Sequence, residues 1–167
     1  PGAGLGTLAK ATAAVAPGAR VTAVEVNAAR AARLPAPWEV VVGDFIPWAL
    51  RGRNGRRRWD VIVGNPPFRR LLLGPDGSPL LGRKGQLGYA HGWADWVGGM
   101  LPLRSARGAV VVLGISDFLG GQDRMAKLWR AVERPSDIFW CAKRVSFRKA
   151  PGSSGTDARS VFWAVFK

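Results

Sequence analysis

Three stretches of the sequence place glycines or carboxylates where a predicted strand ends or a predicted helix begins. The glycine loop "PGAGLG" (1–6) leads into a helical pattern, and its glycines expose backbone N–H groups and allow a ligand to approach closely. Glu25 follows about twenty residues later, at the end of a β-rich run, where a carboxylate can bind both hydroxyls of a ribose. Asp44 and Phe45 end the next run and offer an acceptor for an adenine amino group and a ring face for the base. These residues predict a pocket for an adenosine-containing ligand.

The tetrad Asn65-Pro66-Pro67-Phe68 follows a third β-rich run, "WDVIVG". Two consecutive prolines neither continue a helix nor donate to a sheet, so they predict a rigid, exposed corner at the end of this strand. The corner carries an amide at its start and an aromatic ring at its end. A strand-ending turn with Phe68 packed in the core is the alternative that the tetrad alone leaves open.

The elements that position these residues alternate between strand and helix patterns. Residues 7–17 predict a helix stopped by Pro17-Gly18, "NAARAARL" predicts a second helix, and "PWALRGRNGRRR" predicts a basic helix that ends in a loop. Such alternation at short spacing is typical of a parallel α/β sheet. Ligands bind these sheets at the carboxyl ends of the strands, so we expect the loop, the carboxylates and the corner to line one crevice.

The second half of the chain begins with an irregular Gly- and Arg-rich stretch, 69–88. A helix over 89–103 weakened by Gly98-Gly99, the strand "GAVVVLGI" and the amphipathic helix "QDRMAKLWRAVE" are predicted next. The segments "IFWCAKRVSF" and "RSVFWAVFK" predict an antiparallel strand pair, and most of the eight tryptophans are expected in the core. Without a repeat or a second core, residues 1–167 predict a single domain.

The composition indicates a globular protein with an anionic partner. Of its 167 residues 47% are hydrophobic, and 25 Lys and Arg against 11 Asp and Glu give a net charge of +14. This charge favours a polyanion such as nucleic acid, although the codon bias of a GC-rich genome is an alternative source of arginine. The single cysteine excludes a disulfide framework and a Cys-rich zinc site within the chain. With no membrane-spanning run and no signal-peptide pattern, we expect a cytoplasmic protein that binds neither membrane nor metal.

The ordered set "PGAGLG", "VEVN", "GDF" and "GNPPF" resembles the S-adenosylmethionine-dependent amino-group methyltransferases with an Asn-Pro-Pro-Tyr/Phe motif, chiefly the adenine-N6 DNA methyltransferases. The loop departs from the Gly-x-Gly-x-x-Gly fingerprint, which disfavours NAD. The resemblance implies S-adenosylmethionine as cofactor. It also implies a cofactor site formed by Pro1, Gly2, Ala3, Gly4, Gly6, Glu25, Val26, Asp44, Phe45 and Asn65.

The same resemblance implies a Rossmann-like class I methyltransferase sheet, mostly parallel with one antiparallel strand. The first, central strand of that sheet and the acid that often precedes the loop are missing from this sequence. We therefore expect a fragment of a longer chain, which supplies the missing strand and carries a recognition domain for the target.

The family mechanism gives the corner its implied role. Asn65 through its side-chain carbonyl and Pro66 through its backbone carbonyl accept the two N–H bonds of the adenine amine, and proline holds the acceptor still. Pro67 completes this rigid catalytic turn, and Phe68 stacks on a base taken out of the helix. Electron density shifts onto the amine nitrogen, so positioning and electrostatics replace a dedicated base.

The implied substrate contacts lie after the corner and near the last turn. They are Phe68, Arg69, Arg70, Phe147 and Arg148, with the arginines placed to contact phosphates. Packing in the core is the alternative for Phe147. The basic run "RGRNGRRR" precedes a strand and is expected at the opposite edge of the sheet.

Three functions remain open at this point. The first is methylation of adenine N6 in DNA, and the second is the same chemistry on an RNA base or a protein glutamine. The third is a nucleic-acid-binding module that keeps the fold without using a cofactor.

Overall fold

Helices and strands alternate through the first six elements of the computed structural model. The structure describes residues 1–53, 57–66, 70–71, 89–90, 92–115, 134–141, 145–148 and 156–167. Its first elements are α1 (Thr7–Val15), β1 (Thr22–Glu25), α2 (Ala28–Ala31), β2 (Glu39–Val42), α3 (Phe45–Arg53) and β3 (Trp59–Gly64). The later ones are β4 (Arg70–Leu71), β5 (Tyr89–Ala90), α4 (Gly92–Met100), a 3-10 turn (Leu101–Leu103), β6 (Arg104–Ile115), β7 (Asp137–Trp140), β8 (Val145–Arg148), β9 (Thr156–Arg159) and β10 (Val161–Phe166).

The main strands form two sheets. β1 and β2 pair in parallel, and a four-stranded sheet has the order β3-β6-β10-β7. In the larger sheet β3 and β6 are parallel, whereas β10 is antiparallel to both β6 and β7. The predicted sheet, mostly parallel with one antiparallel strand, is confirmed, as is the antiparallel pairing of the last two segments. Two short antiparallel pairs, β4–β5 and β8–β9, accompany these sheets.

The core lies where α3 and α4 pack on the strands. Trp93 and Val97 of α4 are buried against Phe162 and Phe166 of β10, and Val24 and Ile62 add side chains from β1 and β3. The buried indole of Trp93 satisfies its polar atom by donating to the carbonyl oxygen of Leu113 at 2.9 Å. One continuous core therefore spans residues from both sheets.

Several predicted elements differ at their boundaries. α2 has four residues, fewer than its pattern predicted, and α4 ends at Met100 because the chain tightens into a 3-10 turn that contains Pro102. The predicted helix "QDRMAKLWRAVE" lies outside the described residues. None of the helices within the described ranges has the length and apolar character needed to cross a bilayer.

Candidate functional site

The glycine loop lies between the carboxyl ends of β1 and β3. The amide of Ala3 donates to the Val24 carbonyl at 3.0 Å, and that of Gly6 donates to the Ala3 carbonyl at 2.8 Å. Gly2, Gly4 and Gly6 have φ angles of 59°, 57° and 82°, a left-handed conformation that glycine adopts without steric strain. The repeated glycines therefore let the chain turn sharply from the sheet into α1.

The glycines of the loop face different surroundings. A Cβ at Gly2 would lie 2.9 Å from the Trp96 ring, and one at Gly6 would lie 2.9 Å from Cδ2 of Leu34. At Gly4 no atom of the described residues would lie within 4 Å of a Cβ. Gly2 and Gly6 are thus required by close packing, whereas Gly4 leaves the backbone open to a ligand.

Glu25 joins this loop to the end of β1. One carboxylate oxygen accepts from the Gly4 amide at 2.7 Å, the other accepts from the Asn27 amide at 2.9 Å, and the residue is 4% exposed. The loop amides of Ala3, Gly4 and Gly6 are therefore engaged inside the protein. For these three donors the prediction of bare N–H groups facing a ligand is wrong. Each Glu25 oxygen keeps a second lone pair, so its binding to ribose hydroxyls stays a prediction.

Phe45 is the first residue of α3 and Asp44 directly precedes it, so neither continues β2, which ends at Val42. Exposed Asp44 accepts from the Ile46 amide at 2.9 Å and so caps the helix, because a carboxylate satisfies a free amide of the first turn. Phe45 is 2% exposed and its ring centroid lies 4.8 Å from that of Trp96. The predicted stacking of a base on the Phe45 ring is therefore wrong, because helix formation turns this ring into the core.

The corner after β3 lies beside the loop. Asn65 is exposed and its side chain makes no hydrogen bond within the described part of the chain. A Cβ at Gly2 would lie 3.9 Å from the backbone oxygen of Asn65, and a Cβ at Gly64 would lie 3.7 Å from Cγ of Pro1. The structure thus brings the first and last of the predicted motifs together at one edge.

Pro66 departs from the predicted exposed corner, since it is fully buried. A proline restricts the backbone of the residue before it, here Asn65, but burial of Pro66 leaves its carbonyl covered in this structure. Pro67, Phe68 and Arg69 lie outside the described residues. For Arg70, Phe147 and Arg148 the structure describes only their strands, β4 and β8.

Exposed apolar side chains flank the carboxylates at the same edge. Val26, predicted for the cofactor site, is 68% exposed directly after Glu25. Val42, which is 58% exposed, is paired in register with Glu25, and Leu5 of the loop is 48% exposed. Leu5 and Val42 were not predicted for the site. Leu5 is a single apolar residue between two glycines and Val42 is one of three consecutive valines, and neither pattern indicates that the side chain faces outward.

The opposite ends of the strands carry a separate polar cluster. Arg57 donates to Glu39, at the start of β2, and to the Thr22 hydroxyl, at the start of β1. This hydrogen bond from Arg57 holds the pKa of Glu39 below its usual range. The predicted location of the basic run at the opposite edge is confirmed for Arg57. A cavity of about 540 Å³ lies here, lined by Pro17, Arg20 and Trp38 among others, and it is remote from Asn65.

Three solved structures with a similar fold are methyltransferases. A proposed RNA methyltransferase from Pyrococcus horikoshii superposes with a TM-score of 0.59 at 16% identity, over 98% of this chain and 70% of that one. An S-adenosylmethionine-dependent methyltransferase from Agrobacterium tumefaciens superposes with a TM-score of 0.58 at 16% identity, over 99% of this chain and 53% of that one. Human methyltransferase-like protein 13, in complex with SAH, superposes with a TM-score of 0.56 at 15% identity, over 98% of this chain and 68% of that one.

This chain has the class I methyltransferase fold. The expected Rossmann-like sheet is thereby confirmed. No protein-family model and no curated protein sequence matches the chain. In this methyltransferase fold the loop, Glu25, Asp44 and Asn65 all occupy one edge of the sheets. Among the described residues, no group of three or more His, Cys, Asp or Glu side chains is placed to hold a metal.

Proposed function

We propose that this protein is an S-adenosylmethionine-dependent methyltransferase that methylates the N6 amino group of adenine in DNA. The observation that carries the proposal is the meeting of the glycine loop with the Asn65 corner, where a Cβ at Gly2 would lie 3.9 Å from the Asn65 backbone oxygen. A methyl donor seated on the loop would therefore lie beside the exposed side-chain amide of Asn65, which makes no hydrogen bond to any other residue that the structure describes.

The residues at this edge fit an adenosine-containing cofactor. The second lone pairs of the Glu25 carboxylate accept from ribose hydroxyls, and the free oxygen of Asp44 accepts from the adenine amino group. Val26 and Val42 supply exposed apolar surface for the base in place of the Phe45 ring. Gly4 leaves room for close approach of the rest of the molecule.

Asn65 orients the amine that receives the methyl group. Its side-chain oxygen accepts a hydrogen bond from one N–H of the adenine amine. The backbone carbonyl of Pro66, a residue that is buried in this structure, is the acceptor that the motif predicts for the other N–H. When bound, S-adenosylmethionine would supply a methyl group carried on a positively charged sulfur. As the amine nitrogen forms its bond to the methyl carbon, the sulfur–methyl bond breaks to leave a neutral thioether, and the nitrogen releases one proton to solvent. Holding the amine by both N–H bonds directs its lone pair along one line, which is a contribution of positioning and electrostatics.

Nucleic acid is favoured over a peptide as substrate. The net charge of +14 attracts a polyanion and gives a peptide glutamine no comparable advantage. An RNA base is the second candidate, and the likeness to the proposed RNA methyltransferase from Pyrococcus horikoshii favours it.

The test is transfer of radiolabelled methyl groups from S-adenosylmethionine to unmethylated DNA, to RNA and to a glutamine peptide, offered separately to the natural protein. We expect label in DNA, recovered as N6-methyladenine after digestion to nucleosides. Label confined to RNA supports the second candidate. Label in the peptide alone, or no binding of S-adenosylmethionine by calorimetry, contradicts the proposal.

A further inference from the structure

Two neighbouring aromatic side chains project from the edge of the larger sheet. Phe139 is 59% exposed and Trp140 is 55% exposed, and both belong to β7. Of the aromatic side chains that the structure describes, these are the ones classed as exposed. Tryptophans are expected mostly in the core, so the exposed position of Trp140 calls for a physical reason.

Trp140 lies level with the Asn65 corner along the strands. Phe162 of β10 is opposite Trp140 on one side and opposite Gly114 on the other, while Gly64 is opposite Val112. Gly114 lies two residues beyond Val112, just as Pro66 lies two residues beyond Gly64. Trp140 therefore lies two residues beyond the level of Gly64, on the carboxyl side where the Asn65 corner begins.

The lateral separation between them suits a nucleic acid strand. β3 and β7 are three steps apart in the sheet order, which corresponds to about 14 Å at the usual strand spacing. That distance equals about four base steps of a stacked strand. A strand with its target amine at Asn65 thus reaches Trp140 with a nearby base.

The Trp140 ring is held in place before any ligand binds. Its centroid lies 5.5 Å from that of Phe162, which is fully buried and itself lies 6.2 Å from the Trp93 ring. Successive strand residues point to opposite faces, so Phe139 lacks this support from the Phe162 side. The Trp140 side chain is thus exposed to solvent and at the same time packed against the buried Phe162 ring.

We propose that Trp140 is a stacking platform for an unpaired base of the substrate nucleic acid, within about four nucleotides of the target. The inference rests on the proposed function, since it takes the strand to have its target base at Asn65. A second copy of the chain is a poorer occupant of this surface, because two molecules that each carry +14 repel one another. A nucleic acid fits both features, because its phosphates are attracted by the net positive charge and its bases stack on exposed aromatic rings.

The test compares binding of a short labelled single-stranded oligonucleotide by fluorescence anisotropy, without cofactor. Trp140→Ala is expected to weaken binding by about tenfold to a hundredfold. Trp140→Phe, which keeps an aromatic face, is expected to restore most of it. Phe139→Ala is the matched control, equally exposed and one residue away, and is expected to bind like the unchanged protein.

A series of oligonucleotides, each lacking one base, separates stacking from a merely structural role. At one position of the oligonucleotide, loss of the base should weaken binding by the unchanged protein and leave binding by Trp140→Ala unaffected. Thermal unfolding checks each variant, and Trp140→Leu, which keeps apolar bulk, replaces the alanine variant if that one does not fold.

Three outcomes overturn the platform. Equal binding by Trp140→Ala and the unchanged protein, with methylation of nucleic acid retained, contradicts the platform and leaves the proposed function intact. Sedimentation showing a dimer that Trp140→Ala dissociates assigns the surface to a second copy. Methyl transfer to peptide alone contradicts the proposed function, and the platform fails with it.

Discussion

Glu25 fixes the glycine loop through both of its carboxylate oxygens, which accept from the amides of Gly4 and Asn27 at 2.7 and 2.9 Å. The side chain is buried, and its net role in the protein alone is structural. Any ligand that uses its remaining lone pairs therefore meets a carboxylate already held in position. Binding and loop structure are coupled through this one residue.

We expect Glu25→Gln to destabilise the protein by about 1–3 kcal/mol, because the amide NH₂ of glutamine must face one of two backbone N–H donors. Urea unfolding measures this loss, and calorimetry should show at least tenfold weaker S-adenosylmethionine binding. Asp44→Asn is the control for stability, since asparagine caps a helix about as well as aspartate. Unchanged unfolding of Glu25→Gln would show that the two hydrogen bonds contribute nothing.

At the scale of elements, α3 and α4 approach closely because Gly99 has no side chain. A Cβ at Gly99 would lie 3.2 Å from Cε1 of Phe45 and 3.6 Å from Cβ of Ala49, both buried. The neighbouring Gly98 has no described atom within 4 Å of such a Cβ. Gly99 is thus required by the close approach of the two helices, whereas Gly98 is not.

This pair gives a matched prediction. Gly98→Ala should stabilise the protein by up to about 1 kcal/mol, because alanine favours the helix over glycine. Gly99→Ala should lose that gain to crowding against the Phe45 ring, which is buried and packed on Trp48 and Trp96. Thermal or urea unfolding of the two variants measures both changes in stability. Equal stabilisation by both would contradict the close contact of the helices.

The order of the main strands and helices could be predicted from the sequence, because alternating apolar runs and Gly-Pro stops are local signals. The end of β2 could not be predicted, because aspartate is as common at the end of a strand as at the start of a helix. Only tertiary packing places the Phe45 ring in the core. The exposure of Trp140 likewise depends on β7 lying at the sheet edge. The contact of the loop with Asn65 joins residues distant in sequence, and the ordered motifs pointed to it.

At the scale of the whole molecule, the loop residues 1–3 join the two sheets at their carboxyl edge. Ala3 is bonded to β1, whereas Pro1 and Gly2 lie against the end of β3. At the opposite end Arg57, which precedes β3, donates to Thr22 of β1 and forms an ion pair with Glu39 of β2. The polar residues of the candidate site and this ion pair are thus separated by the length of the strands.

The net charge of +14 predicts salt-dependent binding of nucleic acid. With about four phosphate contacts, affinity for an oligonucleotide should fall about a hundredfold between roughly 50 and 200 mM salt, because bound counterions are released on association. Affinity for S-adenosylmethionine should change little over this range and serves as the control. Fluorescence anisotropy at several salt concentrations measures the slope. Oligonucleotide binding that is insensitive to salt would remove the electrostatic support for a nucleic acid substrate.

The central claim is that Asn65 holds the amine that is methylated, and Asn65→Ala tests it most directly. Transfer of labelled methyl groups and calorimetric binding of S-adenosylmethionine are measured on the same preparation. We expect transfer to fall by at least about a hundredfold, as on removal of an electrostatic catalytic contact, while the cofactor Kd stays within about twofold. Retained transfer, or a large loss of cofactor affinity, would contradict this role for Asn65.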